Sequence, residues 1–177
     1  DSKRFEKIKK SLNPKVSSGK FLKLLHDVED ITEKSSVIGG YASLRYSEDT
    51  QSDEATALLT RISKFGSDIE NRLLFFDLWW KKQVDEKNAS RLIKSAGQFS
   101  EYLRFKRLLA KYSLSEPEEK IINTLDVTGA SALVKLYDKI TNAYVYTVTV
   151  DGKKRTMNRE QLTTLVRSKK AKTREAA

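Results

Sequence analysis

The sequence contains no cysteine. A disulfide framework, a cysteine zinc site and a thiol nucleophile are thereby excluded. The absence also fits a reducing cytoplasm. A single histidine, His26, rules out HExxH, which needs two, and neither a Ser/His/Asp set nor a glycine-rich phosphate loop is present. His26 stands in HDVED with Asp30 one helical turn on, so the pair could supply two metal ligands. No third ligand accompanies them, and the pair reads as a surface histidine beside solvated acids. Carboxylate pairs such as Glu118 and Glu119 belong to helix starts. Taken alone, the chain offers no catalytic, cofactor-binding or metal-binding residue.

Breakers are scarce as well. Two prolines and 7 glycines in 177 residues favour long helices over a many-turned β fold. No apolar run approaches the roughly 18 residues of a membrane span. The opening DSKRFEKIKK lacks the apolar centre of a signal peptide. No membrane partner is expected.

Charge is abundant, with 34 Lys/Arg against 24 Asp/Glu and a net charge of +10. The excess sits at the ends. Residues 1–23 carry 8 basic residues against 2 acids, residues 150–177 carry 9 against 3, and the middle is near neutral. A nucleic-acid module usually lays a basic stripe with interleaved aromatics across its folded surface. Basic ends on a neutral body read instead as solvated segments, or as surfaces facing a missing partner.

The length suits one ordinary domain, or one domain and part of another. Residues 1–17 are Lys-rich and carry few core anchors. From Ser18, the residues Phe21, Leu24, Leu25, Val28, Ile31, Ile38, Tyr41 and Ala42 recur at helical spacing, predicting a helix to about Tyr46. Gly39 and Gly40 within it suggest a close backbone approach. Thr50 or Ser52 can cap a second helix, whose stripe is Ala55, Leu58, Ile62, Phe65, Ile69, Leu73, Phe76 and Trp80. The two form a long antiparallel hairpin. Its far end, NRLLFFDLWW at 71–80, is apolar all round and must be wrapped by more than the first helix. Residues 83–112, jointed at Gly97, supply candidate wrapping.

LSEPEEKII opens a further helix with a Ser115/Glu118 capping box, and DVTG at 126–129 interrupts it. At YVYTVTV the period drops to two, and Asp151-Gly152 signals a β-hairpin over 144–157. Asn158, with Gln161, caps a last helix. The closing RSKKAKTREAA is helix-prone and stops without a cap, Gly or Pro, which reads as a polypeptide that continues. The fold class is mainly α: a long helical hairpin with further packed helices and one small β-hairpin near the C-terminus.

Several blocks, in this order, carry a resemblance: YASLRYSEDTQSDEA, ENRLLFFDLWWKK, YLRFKRLLAKYSLSEPEEKIINTLDVTGASALVKLYDKITNAYVYTVTVDGK and RSKKAKTREAA. They resemble oligoendopeptidase F, of the thimet-oligopeptidase-like zinc metallopeptidases, in its amino-terminal part. The resemblance covers roughly residues 20–177. Composition marks residues 1–17 as a basic segment; the resemblance implies an amino-terminal helical domain at 18–112 and the start of the catalytic domain at 113–177. In the family, zinc is held by HExxH and a distal glutamate in the carboxy-terminal half, so the zinc would lie outside this chain. The implied role is a non-catalytic wall of a channel that admits oligopeptides, partnered by the missing catalytic half, in the cytoplasm. Tyr144 and Tyr146 are candidates for lining that channel, although strand alternation equally lets them pack on the helices. The alternatives are an autonomous helical interaction module and a basic nucleic-acid-binding domain.

Overall fold

The computed structural model describes residues 1–175. The chain opens with α1 (Ser2–Glu6) and a 3-10 turn, then forms α2 (Ser18–Glu48) and α3 (Asp53–Leu78). Shorter helices follow: α4 (Glu86–Ser95), α5 (Ser100–Leu108), α6 (Glu116–Thr128) and α7 (Ala130–Asn142). Strands β1 (Val145–Val150) and β2 (Lys153–Asn158) pair antiparallel before α8 (Arg159–Val166) and α9 (Ala171–Glu175). The mainly helical class, the long hairpin and the small β ribbon are as the sequence predicts. The closing helix-prone stretch gives α9, and its residues 176–177 lie outside the described residues.

The helix starts follow from their caps. The Ser17 hydroxyl accepts from the Lys20 amide at 3.3 Å, and Ser52, rather than Thr50, accepts from Ala55 at 3.2 Å. Asp85 takes the same part for α4, accepting from Asn88 at 3.0 Å. At α6 the Glu118 carboxylate accepts from both the amide and the hydroxyl of Ser115. Those bonds hold its pKa below the usual carboxylate range.

The core gathers around residues 71–80. Phe76, Trp79 and Trp80 meet Phe21 of α2, whose ring stacks on Trp80 at 5.2 Å. Phe5 of α1 packs edge-on to Phe76 at 5.6 Å. The amino-terminal segment is therefore better anchored than its composition suggests: Phe5 and Val16 are buried, with Ile8 and Leu12 packed against the core. Arg91 of α4 ties the segment down by donating to the carbonyls of Val16 and Pro14.

The remaining wrapping comes from α4 and α5, with Leu92, Ile93 and Leu103 buried. Trp80 Nε1 donates to the Leu103 carbonyl at 3.0 Å. The helix widens into a π turn over Trp79–Gln83, closed by the Val84 amide on the Trp79 carbonyl at 3.2 Å. Arg107 satisfies carbonyls at this turn, donating to Trp80 at 3.0 Å and to Val84 at 2.9 Å while lying over the Trp80 ring.

The apolar stripe of the hairpin does not stay covered along its length. Ile38 is 41% exposed, Tyr41 61% and Phe65 47%. Beyond Ile31 and Ile69 the hairpin leaves a groove of about 470 Å³ that Gly39, Phe65, Gly66 and Ile122 help to line. A Cβ on Gly39, Gly40 or Gly66 would meet nothing within 4 Å. None of the three serves close helix approach, contrary to the expectation from sequence for Gly39 and Gly40.

Two other glycines have definite conformational roles. In the ribbon, Val150 pairs with Lys153 across Asp151 (φ 49°) and Gly152 (φ 75°), a tight turn with positive φ at both central residues. At the joint between α6 and α7, a Cβ on Gly129 would come within 2.8 Å of the Leu125 carbonyl oxygen.

Candidate functional site

Helices α6 and α7 form the most distinctive surface. Their apolar residues recur at helical spacing, which normally marks a buried face. Yet neither helix buries a single residue. Ile121, Leu125, Leu133, Leu136, Tyr137 and Ile140 are all exposed.

Polar contacts hold both helices in place. Lys82 at the π turn donates to the carbonyls of Ser113 and Leu114, fixing the approach to α6. Ser67 of α3 donates to the Asn123 carbonyl at 3.2 Å, and Asn123 donates to Asn71 at 3.0 Å. Lys9 reaches Glu116 at 2.8 Å. The hydrogen bonds of Lys120 and Lys9 hold the Glu116 carboxyl below its ordinary pKa.

Helix α7 is tied to the tip of the hairpin. Tyr46 donates to the Lys135 carbonyl, Gln51 donates to that of Lys139, and Asn142 bonds Thr50. Lys139 pairs with Asp53 at 2.9 Å and lowers the pKa of that carboxyl. Burial, reinforced by the charge of Asp138, raises the Tyr46 phenol.

The result is an amphipathic helix pair held on its polar side with its apolar side open. Exposed apolar stripes of this kind are suited to covering by another protein surface. The spacing of Leu133, Leu136, Tyr137 and Ile140 is that of an amphipathic helix, but periodicity alone does not say whether such a stripe is covered. The available signal was a matter of supply: residues 71–80 already use the wrapping that α4 and α5 provide.

The ribbon follows α7 in the chain. Tyr146, Val148 and Val150 share its covered side, with Tyr146 half-buried and Val150 buried, and α8 packs against both strands. Tyr144 precedes β1 and is exposed. The two tyrosines therefore occupy different environments.

His26 is half-exposed, 3.2 Å from the Glu29 carboxylate and edge-on to Phe99. Asp30 is instead engaged by Lys34 at 2.7 Å. Among the described residues, no group of three or more His, Asp or Glu side chains could hold a metal ion.

No helix among the described residues is long and apolar enough to cross a membrane. Residues 82–145 match the family model described as Oligopeptidase F. No curated protein sequence matches the chain. Among solved structures, oligoendopeptidase-F from Enterococcus faecium shares the fold with a TM-score of 0.71 at 18% identity, over 99% of this chain. The present chain spans 35% of that protein's length. From the family match at 82–145 and the shared fold, the chain resembles oligoendopeptidase F, and the part that it resembles is the amino-terminal one.

Proposed function

We propose that this chain is the non-catalytic amino-terminal region of an oligoendopeptidase F-like zinc metalloendopeptidase that hydrolyses oligopeptides. Its helices contribute one wall of the substrate channel, and the zinc and the hydrolytic chemistry belong to the remainder of the polypeptide. Residues 18–112 form the helical domain, and residues 113–177 open the catalytic domain. The setting is the cytoplasm. Tyr144, being the exposed one, is the better placed of the two tyrosines to meet a peptide.

One observation carries the reading: a fold match covers nearly all of this chain and about a third of a peptidase, while the apolar stripes of α6 and α7 stand open. In this reading the missing catalytic half covers that face.

A quenched-fluorescence peptide assay with added zinc tests the proposal. The purified chain is expected to give no turnover above buffer, and the longer polypeptide containing HExxH is expected to cleave. Chelator-sensitive turnover by the 177-residue chain would overturn the assignment of chemistry to the missing part.

A further inference from the structure

A second groove, of about 750 Å³, lies between α2, α3 and α5 on the core side of the hairpin. Its floor is apolar, formed chiefly by Leu25, Val28, Leu73, Phe76, Trp80 and Leu103. Along α2 it runs from Leu25 to Ser36, and along α3 and the π turn that follows it from Glu70 to Trp80. Each wall is therefore about 15 Å long at the helical rise, enough for some two to three turns of a docked helix.

The rim is acidic in a chain of net charge +10. Glu29 and Glu33 stand one turn apart on α2, and Glu70 faces them from α3. Among the described residues, Glu33 and Glu70 have no ion-pair partner, and Glu29 has only the histidine His26. Asp77 also lines the groove, but Lys81 and Lys106 already hold it. Asp77 is shared by the two lysines and so only partly offsets Lys106, the one cation of the lining, which still carries four carboxylates against it. The groove thus presents an apolar floor beneath three carboxylates with no Lys or Arg partner.

We infer that this groove binds a linear basic amphipathic peptide, with aliphatic or aromatic side chains on the floor and Lys or Arg on Glu29, Glu33 and Glu70. Charge complementarity selects this occupant: an acidic peptide would meet three like charges, and a neutral one would leave them unpaired. The choice of a peptide rests on the oligopeptide reading above. The binding itself needs no hydrolysis, so the two can fail separately.

The test is titration of the 177-residue chain with three synthetic 12-residue peptides, followed by the tryptophan emission of the chain and by calorimetry. One peptide places Lys and Leu on opposite helical faces, one replaces every Lys by Glu, and one replaces every Leu by Ser. The Lys/Leu peptide is expected to bind at least about tenfold more tightly than either of the others, since each lacks one of the two components of recognition. The Glu33→Lys/Glu70→Lys variant, altered at exposed unpaired positions, is expected to keep its helicity and to weaken that binding at least about tenfold. Equal binding of the Lys/Ser peptide, or an undiminished affinity in the charge-reversed variant, would overturn the inference. So would a chain dimer, seen by sedimentation, that the Lys/Leu peptide does not dissociate, because the groove would then be taken by a second copy.

Discussion

The two adjacent tryptophans show how unequal neighbouring residues can be. Both are 2% exposed, and both sit in the aromatic cluster. Trp80 Nε1 is bonded to the Leu103 carbonyl, whereas Trp79 Nε1 is buried without a partner among the described residues. A buried orphan donor costs about 1–3 kcal/mol, and phenylalanine removes that donor while losing some packing area. Trp79→Phe is therefore expected to change stability by no more than about 1 kcal/mol. Trp80→Phe strips the Leu103 carbonyl of its donor and the Arg107 guanidinium of its larger ring, and is expected to cost about 2–4 kcal/mol. Urea midpoints of the two variants, compared at equal m, check the ordering; equal losses would contradict the hydrogen-bond argument.

At the level of elements, the hairpin is weakest where its glycines face open space. Ala at Gly39 or Gly66 meets nothing within 4 Å and suits a helix better, so each substitution is expected to stabilise by about 0.5–1 kcal/mol. A destabilised double variant in thermal denaturation would show that the glycines serve packing after all. The tie between the amino-terminal segment and α6 has a pH signature. Glu116, bonded to Lys120 and Lys9, has a folded pKa below its unfolded one. Between the two values the unfolded chain binds the extra proton, so stability rises with pH and is lost as acid carries the pH down through the folded pKa. Glu116→Gln is expected to cost about 0.5–1 kcal/mol at neutral pH and almost nothing in acid, read from denaturation midpoints across the carboxylate range. These elements also show what was legible. Helix caps such as Ser52, Ser115 and Asn158, and the Asp151-Gly152 turn, are local chemistry, and the sequence states them directly. Phe5 as a core anchor, and the exposure of Ile38 and Phe65, depend on which distant element arrives to cover them. Periodicity marks an apolar face but does not name its neighbour. The open face of α6 and α7 was missed for the same reason.

Over the whole molecule, packing is divided unevenly. The connected core runs from Phe5 to Leu103, with the buried aromatics of α1, α2 and α3 at its centre. From Ser113 to Glu175, only Val150 and Thr173 are buried. Side-chain burial is the chief source of protection against local opening, and a two-stranded ribbon with one short helix on it is marginal in water. Native-state hydrogen exchange of the chain is therefore expected to be graded. Amides of α4, the first half of α2 and the second half of α3 should exchange last, through global unfolding. Those of α6, α7 and the ribbon should exchange first, through local opening at least about 2 kcal/mol less costly. Under the proposed function, protection in α6 and α7 should rise toward that of the core in a longer polypeptide carrying a catalytic half, since in that reading the half buries their open stripes. Protection that is already uniform in the 177-residue chain would mean that the polar ties through Tyr46, Gln51 and Lys139 suffice, and the apolar face would then need no cover for stability.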